Sequence, residues 1–294
     1  MWRMDGPSGD RLALARHYVD IDRPQRALDA LGAMPEEALS DPEFWLLRVE
    51  ALRELGRSAE AAEAARRGLE LDPEDISLLD ALAIAELDGE RLEPAAAALA
   101  AALEIEPNHP VLLAHRALVL ANAKRFAEAR EALFHALRVD PESVEVLRVR
   151  AQVAVLAEEP DAERYVDELL ERSPEDRTGH LLRGSLAADR SRYVPAARAF
   201  AEAARLDPTD RDVARVARET RVAAHPVLAP VRAVHRFGRW RAYFTYLILL
   251  GLLGATHQTS LRGVLVGVWL VIVILSWTGP RFLRWRERRK YGEL

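Results

Sequence analysis

The sequence predicts an all-α chain, with an array of about six helix–turn–helix repeats followed by a C-terminal helical hairpin that enters a membrane. Three observations predict it. One period of 34 residues runs through three separate registers in the first two thirds of the chain. The composition is half hydrophobic but only 6% aromatic, resting on Ala, Leu and Val, which suits close-packed helices better than sheets. Two uncharged apolar runs, 242–256 and 263–280, stand back to back near the end of an otherwise charged, Ala-rich sequence.

The period is read first from proline. Pro73, Pro107, Pro141, Pro174 and Pro208 are spaced by 34, 34, 33 and 34 residues. A second register passes through Ala27, Ala61, Ala95, Ala129, Ala162 and Ala196, and a third through Ala15, Val49, Ala83, Ala117, Ala151 and Gly184. All three demand the loss of one residue between Ala151 and Ala162. Agreement among registers of different chemistry separates this period from a chance recurrence of Ala.

Each period reads as two short helices. The stretch from Pro42 has helical spacing of apolar residues and closes at Gly56; a second helix starts at Ser58 and stops at the Asp-Pro dipeptide containing Pro73. A small residue in each helix lets the pair approach closely, and proline is expected to open the next helix, where its missing N–H would be unpaired anyway. The copies are 8–41, 42–75, 76–109, 110–143, 144–176 and 177–210, the first departing most, with Met34-Pro35 where a small residue and a continuing helix are expected. Residues 211–224 form an Arg-rich capping helix. Residues 225–241, with Pro226 and Pro230, form a linker and basic interfacial segment.

A 34-residue helix–turn–helix with this small, small, large, proline pattern resembles the tetratricopeptide repeat (TPR) family. The fullest copy carries Gly184, Tyr193, Ala196, Phe200, Ala203 and Pro208, and in the copy from Pro42 the aromatic place is taken by Trp45. The resemblance implies a right-handed superhelix whose concave face is lined by the first helix of each pair, and a platform that binds peptides or helices without chemistry of its own. Its inward positions would be Glu50, Arg53, Asp80, Ile84, Leu87, Ala114, Leu118, Ala121, Arg148, Gln152, Val155, Leu181 and Ser185. That groove is apolar in the middle and charged at its ends, which suits an amphipathic or apolar segment of a partner protein. Relatives that grip a carboxylate tail use Lys, Asn and Arg in such grooves; Glu50, Ile84 and Leu118 stand here instead, so that specificity is not carried over. That several of these apolar residues pack between repeats instead stays open.

No chemistry-bearing constellation emerges. Among the eight histidines, His17, His109, His115, His135, His180, His225, His235 and His257, none has a metal-chelating spacing, and they read as surface or groove residues. Cysteine is absent, which excludes disulfides and thiolate metal sites. No phosphate loop or nucleophile elbow occurs. The sequence therefore predicts a non-enzyme without a cofactor.

Charge is unevenly distributed, with −15 over residues 1–220 and +10 over 221–294. The acidic body would repel phosphate, so no nucleic-acid partner is expected. A crossing needs about 20 apolar residues, so the second run qualifies narrowly and the first is short unless flanking side chains snorkel. The two runs predict transmembrane or membrane-inserted helices over 242–280; a re-entrant wedge and a buried soluble hairpin remain alternatives. Arg236, Arg239, Trp240 and Arg241 before the hairpin, and Arg281, Arg284, Trp285, Arg286, Arg288, Arg289 and Lys290 in the tail 281–294, would lie at the interface with anionic lipid. Gly251, Ala255, Gly263 and Gly267 would let its helices touch. Positive charge on both flanks predicts that both termini face the cytoplasm, in a bacterial plasma membrane. The whole reads as a membrane-anchored adaptor, or alternatively as a membrane-structural or assembly subunit that forms homo-oligomers.

Overall fold

The computed structural model describes residues 7–229 and, beyond them, only Val264, Val266, Gly267 and Val271, each of which is helical. In order, the helices are α1 (Pro7–Asp20), α2 (Pro24–Gly32), α3 (Pro42–Glu54), α4 (Ser58–Leu71), α5 (Ile76–Asp88), α6 (Leu92–Ile105), α7 (Pro110–Asn122), α8 (Phe126–Val139), α9 (Val144–Leu156), α10 (Ala162–Arg172), α11 (Arg177–Asp189), α12 (Tyr193–Leu206) and α13 (Arg211–Ala224). Short 3₁₀ turns cover Glu36–Ser40 and Pro226–Leu228, and no strand occurs among the described residues. The chain divides into two compact units, Met1–Pro174 and Glu175–Leu294.

Two further registers of the repeat emerge from the backbone. The first is a helix stop. Asp22, Gly56, Glu90, Lys124, Glu158 and Ser191 all adopt positive φ, between 52° and 69°. In each case the amide that follows reaches back five residues, as Arg57 N does to Leu52 O at 2.9 Å, which turns the chain out of the first helix and into the second. Only Gly56 is the glycine that such a position favours. The second is a helix start. Asp75, His109, Ser143, Asp176 and Asp210 each accept a hydrogen bond from a first-turn amide, for example Asp176 Oδ1 from Gly179 N at 2.7 Å.

These caps correct one expectation. The register prolines do not open the following helices. Pro73, Pro107, Pro141, Pro174 and Pro208 each lie two residues before the capping side chain, in the turn between repeats. Helix entry is fixed by the cap, which satisfies amides that proline cannot. The missing residue is also located. The stretch from the left-handed residue to the buried Ala is one shorter from Glu158 to Ala162 than in the other copies, and α10 has 11 residues where the equivalent helices α4, α6, α8 and α12 have 14.

The small-residue registers form the seam of each pair. In the first unit Ala15, Val49, Ala83, Ala117 and Ala151 on the first helices, and Ala27, Ala61, Ala95 and Ala129 on the second, are fully buried. Larger residues fill the layers beside them. Phe44 and Trp45 meet edge to face at 5.2 Å, with Trp45 Nε1 donating to Leu39 O at 2.9 Å. Leu78, Leu99, Leu112 and Leu147 lie deeper, each contributing about 2 kcal/mol by its removal from water. In the second unit Ala187, Ala196, Phe200 and Ala217 make an equivalent core. There α13 packs on α12 with Ala217 in that core, buries Val213 and turns Arg215 outward, a helix with one apolar and one polar side. It ends at Ala224, before Pro226.

Among the described residues no helix is long and apolar enough to cross a membrane. The expected basic segment 225–241 beyond Ala229, and the expected hairpin 242–280 apart from Val264, Val266, Gly267 and Val271, lie outside the described residues, with Arg236, Arg239, Trp240, Arg241, Gly251, Ala255 and Gly263 among them, as does the tail with Arg281, Arg284, Trp285, Arg286, Arg288, Arg289 and Lys290. Of the expected packing residues only Gly267 is described; a Cβ there would meet nothing within 4 Å among the described residues.

Candidate partner-binding face

In the first unit the first helices of successive pairs pack on one another: α1 on α3, α3 on α5, α5 on α7 and α7 on α9. This follows from the buried registers. A helix that buries one side on its pair-mate and its flanks on neighbouring repeats has one stripe left over, at i, i+4 and i+7. The stripe carries Glu50 and Arg53 on α3, Asp80 and Leu87 on α5, Leu118 on α7, and Arg148, Gln152 and Val155 on α9, each half-buried.

Three predicted groove residues do not belong to it. Ala114 and Ala121 are fully buried in the core that α7 and α8 share with α9, and Ile84 is 9% exposed. Their registers are those of helix contacts, so they offer no surface to a partner. In the second unit Leu181 on α11 packs into the α11–α12 core, and the Ser185 hydroxyl donates to Leu182 O of its own helix at 2.9 Å.

The expected apolar middle is also revised. Between α5, α7 and α9 lies an ionic cluster. His115, 8% exposed, places Nδ1 2.6 Å from Asp80 Oδ1 and Nε2 3.4 Å from Glu145 Oε1, and Glu145 is ion-paired with Arg148. Asp80 and Arg148 were predicted for this face, while His115 and Glu145 were missed. The signal available was the 35-residue offset from Asp80 to His115, one repeat plus one residue, which sets the two side by side on neighbouring helices. The same offset joins Arg53 to Asp88, whose Nε and Oδ2 are 2.9 Å apart. Arg16 of α1 is ion-paired with Glu43 of α3.

Glu50 differs from these carboxylates in making no hydrogen bond or ion pair among the described residues. Burial pushes its carboxyl above the ordinary value; Arg53 and Arg16 oppose the rise, and Asp20 and Glu54 add to it. Among the described residues no group of three His, Asp or Glu side chains is arranged to hold a metal ion.

Paired helices in a 34-residue register, closed by left-handed stops and opened by capped starts, define an all-α helical-repeat solenoid. Residues 42–85 and 160–211 match models of the tetratricopeptide repeat family. Two solved structures show the same fold. A thermophilic TPR protein of Thermus thermophilus aligns over 60% of this chain and 97% of its own, with a TM-score of 0.53 at 23% identity. PilW, a widely conserved type IV pilus biogenesis factor, aligns over 71% of this chain and 97% of its own, with a TM-score of 0.51 at 19% identity. At these identities the likeness is one of fold alone. No curated protein matches the sequence.

Proposed function

We propose that the protein is a non-enzymatic adaptor that captures an amphipathic or apolar segment of a partner protein on its first-helix face and holds it at the cytoplasmic side of a membrane through residues 242–280. One observation carries the reading: the stripe left over along α3, α5, α7 and α9, where half-buried Leu87, Leu118 and Val155 alternate with Glu50, Asp80 and Arg148. Apolar side chains that keep part of their surface in water, among fixed charges, gain most from a segment that offers both. Support for the anchor comes from the apolar runs 242–256 and 263–280 and from the positive charge on either side of them. Anionic lipid is the surface that this charge suits. Anchoring raises the effective concentration of a captured partner at the bilayer without any further contact.

The test is photocrosslinking in cells from Leu118 and Gln152, with exposed Ala100 on α6 as the control position. A discrete foreign protein caught from the two face positions and not from Ala100 is the expected result. Crosslinks only to other copies of this chain would replace the adaptor with the self-associating assembly subunit.

A further inference from the structure

His115 is a buried ring held between two carboxylates that belong to two different neighbouring helices. Asp80 reaches it from α5 and Glu145 from α9, while His115 itself stands on α7. A carboxylate only accepts hydrogen bonds, and a neutral imidazole has one donor nitrogen and one acceptor nitrogen. A neutral ring that donates from Nδ1 to Asp80 at 2.6 Å therefore turns the Nε2 lone pair toward Glu145 Oε1 at 3.4 Å, which is repulsive. Both contacts are favourable only when both nitrogens carry hydrogen.

We propose that His115 is a charge-dependent clamp across the first-helix face: as imidazolium it ties α5, α7 and α9 together, and as neutral imidazole it holds only one neighbour. Imidazole is the side chain whose unperturbed charge change falls between about pH 5 and 8. The charged groups around it are few. Asp80 approaches from α5, and from α9 come Glu145 and Arg148, the latter already ion-paired with Glu145. The other helices packed on α7, α6 and α8, place no hydrogen-bonding or ion-pairing group on the ring among the described residues. The cluster is shielded, with 11% of the His115 side chain, 23% of Asp80 and 33% of Glu145 exposed, so salt screens it less than a surface pair. The clamp is complete when the ring is charged and half-released when it is neutral. The charged ring thus firms the spacing of the three helices, whether or not a partner binds there.

The test uses the full chain. Nitrogen spectra of the histidine rings, with His115 assigned by its loss in His115→Gln, are followed from about pH 5.5 to 8.5, across the ordinary imidazole range. Two protonated nitrogens at the acid end, giving way to a lone Nδ1 proton, are expected. In thermal melts the wild type is expected to lose about 2–4 °C more than His115→Gln on going from about pH 6 to 8, a shift usual for one interaction in a domain of this size. If His115→Gln does not fold, Asp80→Asn and Glu145→Gln take its place, and each is expected to remove most of the excess. A single tautomer throughout, or melts that move in parallel in wild type and variants, would overturn the clamp.

Discussion

The Cβ that Gly184 lacks would lie 2.8 Å from the aromatic ring of Phe200. Gly184 stands on α11 and Phe200 on α12, both buried in the second unit. The other copies carry Ala or Val in the register of Gly184. In the register of Phe200 they carry Leu31, Ala65, Leu99, Leu133 and Val166, all buried and all smaller than Phe. A large ring and a side chain cannot share this place, so this copy resolves the conflict on the helix that can give up its side chain.

Gly184→Ala is therefore expected to lower stability, although Ala favours helix. Overpacking costs about 1–3 kcal/mol and the better helix propensity offsets about 1 kcal/mol, leaving a net loss of roughly 1 kcal/mol. Thermal melts would show it, and Phe200→Leu in the same chain is expected to recover most of it. A Gly184→Ala chain that melts above the wild type would mean that Phe200 moves freely.

Glu86 on α5 is a fully buried carboxylate in a register that elsewhere holds Leu52, Leu120, Ala154 and Ala187. It is ion-paired with Arg66 of α4 and with Arg91 at the start of α6. Both arginines are substantially exposed and can return to water, whereas Glu86 cannot. Glu86→Leu is expected to leave stability within about 1 kcal/mol of the wild type, and Glu86→Gln to cost roughly 1–3 kcal/mol for a buried amide with poorer partners. Denaturant midpoints of the two variants rank them, and a more stable Gln variant contradicts the argument.

Glu50 supplies a pH dependence of known sign. Its carboxyl is raised from an ordinary value of 4.5, first by burial. The folded state then binds its proton more tightly than the unfolded chain does. The ionised form is a penalty, present in full above the raised value and absent below the ordinary one. Glu50→Gln is expected to melt above the wild type near neutral pH, with the gap closing as pH falls toward 4.5. A gap that is constant with pH would show that burial of the charge is not its origin.

The absence of cysteine makes the membrane proposal directly testable. Gln258→Cys, in the join between the apolar runs, is expected to react with an impermeant maleimide in intact cells, and Glu293→Cys in the tail only after lysis. Protection of both or labelling of both in intact cells would reject a hairpin with its ends in the cytoplasm.

Most of the array was legible because a repeat writes its packing several times. Close approach of two helices admits only small residues at the crossing, so Ala27 through Ala196 and Ala15 through Gly184 betray the pairs before any coordinates are known. Of the helix stops only Gly56 was legible, because a single left-handed residue is tolerated by Asp22, Glu90, Lys124, Glu158 and Ser191 as well, and side-chain type leaves no common mark. The starts misled for a related reason. The register prolines are conspicuous, yet the cap two residues later opens the helix, and it is Asp in three cases, His in one and Ser in another.

By itself the sequence determined the helical pairs, their period, their small-residue seams and the place of the missing residue to within a few positions, since these are local and repeated. Only the tertiary structure decided which residues of the first helices remain for a partner. Ala114 and Ala121 vanish into the core while His115, one position along, joins Asp80 and Glu145. The difference is about 100° of rotation on a helix at 3.6 residues per turn. Which neighbour meets that rotated side chain depends on how one repeat packs on the next, and no single helix encodes that contact.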